Sequence, residues 1–251
     1  MNVYNRLVLA DSLTPIQFDT LITEGYFPTQ EFMETITHLI FPNMWEERMV
    51  AYKVFPLRFE IKKIQEHQSH KRIRNANKQF IFKIEKFEKV LPEHKKLYKK
   101  YLTSIDFNRN SRIEGIIGCE YATDSVFDIH TISIYDQDKL VALGIFYLGA
   151  IYGTSILHVL DPDYKKYSLG KYLILLTIDY LKQLKYPFYS PGYIVNNFQK
   201  FDYKLFIGKE AATFFHHDIG KWKKYNDKIL IPKLYSEKKT NEIIDRLNGF
   251  Y

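Results

Sequence analysis

Residues 160–210 read LDPDYKKYSLGKYLILLTIDYLKQLKYPFYSPGYIVNNFQKFDYKLFIGKE. A strand ends at Asp161-Pro162-Asp163, and a short basic loop carrying Lys165 and Lys166 follows. The spacing of Leu169, Leu173, Leu176 and Tyr180 predicts an amphipathic helix opening at Ser168 and running to about Lys185. Ser168 is of a residue type that caps helix N-termini. A second short strand, Pro187 to Tyr193, ends at Pro191-Gly192-Tyr193. Strand, loop, helix and strand in that order suit a site built around the helix N-terminus. There the first backbone N–H groups and the helix dipole favour an anionic or carbonyl oxygen.

Working outward, Leu140–Leu160 holds no charged residue and is long enough to cross a bilayer. Its glycines, Gly144, Gly149 and Gly153, and its β-branched and aromatic residues instead predict two buried strands joined near Gly149–Gly153. Strands are also expected over Val50–Ile64, with Pro56 at an edge or bulge, over Phe80–Phe87 and Ile129–Tyr135, and within 221–235. Leu91-Pro92-Glu93 opens a helix to about Ser104, with Lys95, Lys96, Lys99 and Lys100 outward. A further helix is expected within Phe107–Asp124 and a last one over Thr240–Leu247. Gln65–Asn77 reads as a polar, basic connection, Lys200–Leu205 as strand or loop, and residues 1–50 as mixed. The fold class is α/β (mixed α+β), a mixed sheet flanked by helices. The halves 1–125 and 126–251 share one body, because no Gly/Ser/Pro-rich linker divides them.

The 251 residues carry a net charge of +7, which favours a polyanionic partner such as RNA. The 20 Tyr and 19 Phe suit aromatic packing and, at the surface, base stacking. The single cysteine, Cys119, excludes an intrachain disulfide and a multi-cysteine metal site, and it fits a reducing cytoplasm. The eight histidines show no metal-ligand spacing, and Met1–Leu9 does not read as a signal peptide. No metal, cofactor or membrane association is therefore expected.

The ordered residues Asp161, Pro162, Asp163, Ser168, Leu169, Gly170, Tyr189, Gly192, Tyr193, Lys200, Tyr203, Lys204, Phe206 and Glu210 resemble the C-terminal half of the aminoacyl-tRNA–protein transferases, arginyl and bacterial leucyl types alike. The family's Arg-Ser-Leu-Gly has Tyr167 for Arg, and its Lys-Met-x-Tyr-Lys has Phe201 for Met. Pro56-Leu57-Arg58 is similar to the family's Pro-Val-Arg, and Ser69–Asn77 to a Ser/Arg/Asn run. The resemblance implies a Gcn5-related N-acetyltransferase-like fold and transfer of an amino acid from aminoacyl-tRNA to the N-terminal amine of a protein or peptide, with an acidic first residue as one acceptor.

On that resemblance, Ser168 and Gly170 would offer backbone N–H groups to the reacting carbonyl, and Tyr193 or Tyr203 would orient or relay the proton. Arg58, Asp161, Asp163, Gly192, Lys200 and Lys204 would line the substrate site. Lys71, Arg72, Arg74, Asn77, Lys165 and Lys166 would contact tRNA, with the Lys95–Lys100 face adding to the basic surface. The chain also departs from the family. Arg48, Ala51 and Val54 stand where many relatives have three cysteines. Ser133, Tyr135 and Tyr147 stand where they have Glu, Arg and Asp. The Gly-spaced pyrophosphate loop of coenzyme A users is missing after Lys165, which disfavours that cofactor. Two alternatives remain open: an amine N-acyltransferase of the same fold, and an RNA-binding relative without catalysis.

Overall fold

The computed structural model describes residues 6–9, 12–43, 48–105, 110–230 and 235–248. In chain order the elements are β1 (Leu7–Leu9), α1 (Pro15–Thr23), β2 (Phe27–Thr29), β3 (Phe32–Glu34), β4 (His38–Asn43), β5 (Arg48–Glu60), α2 (Gln68–Ala76), β6 (Ile81–Lys86) and α3 (Pro92–Leu102). There follow α4 (Glu114–Ile117), β7 (Asp128–Asp136), β8 (Lys139–Leu148), β9 (Tyr152–Leu160), α5 (Leu169–Gln183), β10 (Phe188–Val195), β11 (Ala212–His216), β12 (Lys221–Lys224) and α6 (Glu237–Asn248). 3-10 turns at Pro162–Tyr167 and Gln199–Ile207 flank α5 and β10.

A nine-stranded sheet in the order β12-β11-β5-β10-β9-β8-β7-β6, with β4 added along β5, forms the body. β8 and β9 are central because the uncharged run Leu140–Leu160 can be buried on both faces. Tyr152, the first residue of β9, lies close to Gly149, whose N–H donates to its carbonyl. Asp19 of α1 clamps this connection by accepting the N–H groups of Ala150, Ile151 and Tyr152. α1 starts where a capping box of Thr14 and Gln17 satisfies the first backbone donors, with Pro15 in the first turn.

β9 and β10 are parallel, so a crossover must join them, and α5 supplies it. α5 packs on β7, β8, β9 and β10 and is covered in turn by α2. That double cover explains why Leu169, Tyr172, Leu173, Ile174, Leu175 and Leu176 are all buried rather than only one stripe. α3 packs on the other face of β8 and β9, where Tyr98, Phe127, Tyr147 and Tyr152 form a second core. α6 lies on β5, with Ile243 against Ala51.

The mixed α/β class is the one expected, and the two strands within Leu140–Leu160 form as read. No helix among the described residues is long and apolar enough to cross a membrane. Other expectations change. Gln65–Asn77 is mostly helix α2, because His70 turns inward to Phe206 O and Asn77 caps the end from inside. Pro56 sits in central strand β5, not at an edge, and pairs with Tyr193 just past the bulge in β10. Lys200–Leu205 belongs to a 3-10 helix rather than a strand. The helix sought over Phe107–Asp124 shrinks to α4, and residues 106–109 lie outside the described residues, as do 231–234 of the stretch 221–235. β11 has no counterpart among the expected strands, and neither has the small sheet β1-β3-β2 within the mixed first 50 residues. β5 belongs to the first half of the chain yet lies between β10 and β11 of the second.

Candidate active site

The parallel pair β9–β10 is joined at only three positions, Phe188↔Tyr152, Tyr189↔Gly153 and Ser190↔Thr154. Beyond Thr154 the strands part. β9 stays with β8 as far as Leu160, while β10 follows β5 through Tyr193↔Pro56, Ile194↔Phe55 and Val195↔Val54. A bulge between Tyr189 and Gly192 turns β10 away, and Gly192 takes φ +98°, a conformation that side chains rarely adopt. The result is a wedge-shaped gap in the sheet. Past Ser190↔Thr154 no further β9–β10 ladder pairing is present among the described residues, and this divergence lies at the carboxyl ends of parallel strands, where open α/β sheets bind ligands.

The apex of the gap is held by side chains. Tyr189 is fully buried, and its hydroxyl lies 2.8 Å from Ser155 Oγ across the two strands. Burial pushes the Tyr189 phenol well above its ordinary range, so it stays protonated. Ser190 Oγ donates to Leu57 O, tying the apex to β5. Thr154, in the last paired position of β9, is fully buried, and its hydroxyl has no hydrogen-bond partner among the described residues. The sequence carries a signal for this apex: Thr154 and Ser155 are adjacent hydroxyls inside an otherwise apolar run.

On the β10 wall the structure gathers Gly192, Tyr193, Tyr203 and Lys204. Tyr193 is half-buried between Phe27 and Phe201, with ring centroids at 6.0 and 5.3 Å. Lys204 is buried, and its Nζ donates to Tyr193 O at 2.7 Å. A side chain at position 192 would begin 3.7 Å from that Nζ and 3.6 Å from Phe27. Tyr203 is 43 % exposed beside this group, and Lys200 is exposed at the start of the same 3-10 helix. Asp202 keeps one buried oxygen without a hydrogen-bond partner among the described residues, and burial raises its pKa despite Lys209 and Lys204 nearby.

On the opposite side stand the start of α5 and the turn before it. Ser168 adopts the left-handed conformation at φ 53°, ψ 42°, and its side chain makes no capping bond, contrary to the N-cap expectation. The turn geometry carries the chain from the 3-10 segment into α5, and Ser168 O accepts the N–H groups of Lys171 and Tyr172. The N–H groups of Leu169 and Gly170 therefore open the helix. Gly170 leaves only 3.2 Å between an added Cβ and Leu160, a tight approach of α5 to the end of β9.

Three expected substrate residues are placed elsewhere. Arg58 is sandwiched between Trp222 and Phe188, 4.1 and 4.7 Å from the ring centroids, and donates to Thr213 Oγ1 and the Tyr152 hydroxyl. It ties β5, β9, β10, β11 and β12 together. Asp161 is buried. Burial alone would raise its pKa, but ion pairs with Lys100 and Lys139 and the N–H of Asp163 hold it low. Asp163 shares Lys100, at 2.5 Å.

Of the expected tRNA residues, Lys71 and Arg72 are exposed on α2, and Lys165 and Lys166 are exposed on the turn before α5. Asn77 links these two segments from inside: it is fully buried, and its amide donates to Ile73 O and Tyr167 O. That position gives it no access to a phosphate. Arg74 pairs with Asp179 on α5 and with Glu66, so it braces α2 against α5. On the Lys95–Lys100 face, Lys95 pairs with Glu114 and Glu120, and Lys100 with Asp161 and Asp163. No group of three or more His, Cys, Asp or Glu among the described residues is arranged to hold a metal ion.

Residues 93–211, from the start of α3 to the end of the β10 wall, match the family described as "Arginine-tRNA-protein transferase, C terminus". The aspartate/glutamate leucyltransferase of Campylobacter jejuni is 27 % identical over 130 residues, covering 52 % of this chain and 50 % of that protein. The chain thus spans about half the length of the curated relatives it matches. Arginyl-tRNA–protein transferase 1 of Saccharomyces cerevisiae is 29 % identical over 101 residues, covering 40 % of this chain and 20 % of that protein. Among solved structures, the C-terminal domain of a putative lysylphosphatidylglycerol synthetase from Agrobacterium fabrum superposes with a TM-score of 0.41 at 10 % identity, covering 72 % of this chain and 52 % of that one. Residues 93–211 of this chain are thus similar to the C-terminal part of the aminoacyl-tRNA–protein transferases.

Proposed function

We propose that this protein is an enzyme that transfers an aminoacyl group from aminoacyl-tRNA to the α-amine of a protein or peptide N-terminus. The observation that carries the reading is a coincidence of sequence and geometry. The stretch matched to the family, 93–211, includes both strands of the parted pair, the helix that opens beside them and the Tyr193–Lys204 wall. In this reading the aminoacyl ester enters the gap between β9 and β10. The amine nitrogen attacks the ester carbonyl carbon, the bond to the ribose oxygen breaks, and that oxygen takes up the proton the amine loses. The ester is already activated, so positioning and oxyanion stabilisation supply most of the catalysis. Backbone N–H groups of β9 and β10 past Ser190↔Thr154 and those of Leu169 and Gly170 are the donors we assign to the oxyanion. The hydroxyl of Tyr193 is the group we assign to orient the amine.

We assign tRNA contact to Lys71, Arg72, Lys165 and Lys166, which are exposed on two segments joined through Asn77. An acidic first residue of the acceptor would meet Lys200, since Lys204 is committed to Tyr193 O. The test is a panel of aminoacyl-tRNAs with labelled amino acids, offered with peptides beginning in Asp, Glu or a neutral residue. Label at the peptide α-amine is expected. Binding of tRNA without transfer to any amine would favour a non-catalytic RNA-binding role, and acyl transfer from a coenzyme A thioester alone would overturn the reading.

A further inference from the structure

Strand β6 closes one end of the nine-stranded sheet. It pairs with β7 on one side, and no strand among the described residues pairs with the other. Such an edge leaves backbone donors and acceptors available for another strand. Two large apolar side chains stand exposed on it, Ile81 at 61 % and Phe82 at 45 %. Alternation sorts its residues onto two faces. Phe82, Ile84 and Lys86 share the face on which Ile84 packs against the α5-side core. Ile81, Lys83 and Glu85 share the face carrying Tyr135, and the Lys83 ammonium lies 5.6 Å from that ring. Lys86 is paired with Asp128, but neither Lys83 nor Glu85 forms an ion pair among the described residues.

We propose that β6 pairs antiparallel with β6 of a second copy of this chain about a two-fold axis at Ile84, joining two sheets into one. The charge pattern selects the occupant and the register. A two-fold axis perpendicular to a sheet must pass through a residue, because opposed residues in an antiparallel pair point to the same face. An axis at Lys83 would set Lys83 against its own copy, and one at Glu85 would oppose two carboxylates. An axis at Phe82 would leave Glu85 beyond the paired residues. The axis at Ile84 places Lys83 of each copy opposite Glu85 of the other, twice. On the opposite face it brings Ile84 against Ile84, with Phe82 of each copy opposite the stem of Lys86. Phe82 and both unpaired charges then find partners, while Ile81 falls just beyond the paired residues. A foreign strand would need a complementary pattern of its own, whereas this chain carries it already.

Sedimentation equilibrium over a concentration series tests the pairing. The wild-type chain is expected to approach twice the monomer mass. Lys83→Glu sets like charges opposite each other at two symmetric positions and is expected to raise the dissociation constant roughly ten-fold or more. The exchange Lys83→Glu with Glu85→Lys restores opposite charges and is expected to return the constant to within about three-fold of wild type. Circular dichroism of each variant checks that the monomer is folded, and both positions are exposed, so folding is expected to survive. A wild type that stays monomeric throughout, a dimer indifferent to Lys83→Glu, or a dimer abolished by Lys83→Glu that the exchange does not restore would each overturn the proposal.

Discussion

The buried ammonium of Lys204 donates to the carbonyl of Tyr193 at 2.7 Å, with the rings of Phe201, Tyr193 and Tyr203 at 5.0, 5.1 and 5.7 Å. A cation on the 3-10 segment thus fixes the strand end that diverges from β9. Tyr193 lies past the last residues paired to β9, and its carbonyl is held from the 3-10 segment instead. The charge acts on the scaffold of the gap, and the surrounding rings favour a cation through their negative faces.

Lys204→Met keeps the length and apolar stem but removes the charge and its donors. A hydrogen bond from a charged group is worth about 1.5–3 kcal/mol. In a chain of this size each kcal/mol moves the melting temperature by about 2–4 °C. A fall of several degrees is expected, together with slower transfer to acidic and neutral acceptors alike. Calorimetry and the labelled-peptide assay measure the two effects. An unchanged melting temperature would remove Lys204 from the scaffold, and a loss confined to acidic acceptors would return it to substrate contact.

Tyr203 separates ring from hydroxyl. Its ring is exposed at the end of the β10 wall, which suits stacking on a nucleobase. Stacking on a single aromatic ring contributes about 1–3 kcal/mol. Tyr203→Phe is expected to bind tRNA and transfer within about three-fold of wild type, since ring stacking is kept. Tyr203→Ala is expected to weaken tRNA binding about five- to 150-fold. Should Tyr203→Phe alone lower the transfer rate by about 100-fold or more, at the scale of general acid–base catalysis, the hydroxyl is the working group.

Much of this site is legible from residue order, and the illegible part has a common cause. The order from Asp161 to Glu210 predicts the strand–helix–strand unit, and the glycines in Leu140–Leu160 predict the two buried strands. What fails are roles that depend on partners distant in sequence. Arg58 reads as a substrate-site residue until Trp222, 164 positions later, closes on one side of it and Phe188 on the other. Arg74 and Asn77 read as members of a basic run, but Asp179 and Tyr167 take them inward. Pro56 reads as an edge or bulge marker because proline breaks ladders, yet it sits inside β5 paired with Tyr193 of β10, next to a bulge that only the partner strand carries. α2 escapes a reading by periodicity because most of its inward contacts are polar, from His70, Arg74 and Asn77, with Ile73 the apolar residue packed against the core. Local pattern reports periodicity and turn chemistry well, and it is silent on which cation meets which carboxylate.

Stability is expected to fall with acid earlier than carboxylate titration would require. Burial, reinforced by Lys53, lowers the pKa of both His38 and His217 from 6.5 to about 4. His38 Nε2 is buried and lacks a hydrogen-bond partner among the described residues, so a proton there would be poorly accommodated. The unfolded chain takes up these protons first as pH falls. The stabilisation is therefore complete above about pH 6.5 and is lost on descending from 6.5 toward 4. Within that window each histidine contributes a slope of up to about 1.4 kcal/mol per pH unit. Urea unfolding at several pH values measures it. His38→Gln is expected to flatten the slope by about that amount whatever its effect at neutral pH, and an unaltered slope would assign the acid sensitivity to other groups.

The last expectation separates cations that meet phosphate from cations that hold the fold. Lys71, Arg72, Lys165 and Lys166 are exposed, and the segments that bear them are joined through Asn77 and Tyr167. Removing one cation that meets a phosphate should flatten the plot of log affinity against log salt by roughly 0.7 to 0.9. Replacing Lys71 and Arg72 together by Gln is expected to reduce the slope by about 1.5 with little change in melting temperature. Arg74→Gln should do the reverse. It removes the brace to Asp179 and Glu66, so the melting temperature drops while the salt slope stays close to wild type. Filter binding of tRNA from low to moderate salt, run beside thermal unfolding, reads both quantities on the same samples. A reduced slope in Arg74→Gln would mean that its guanidinium reaches phosphate despite its two carboxylate partners. An unchanged slope in the double variant would move the tRNA contact away from α2, leaving Lys165 and Lys166 beside the start of α5 as the next pair to replace.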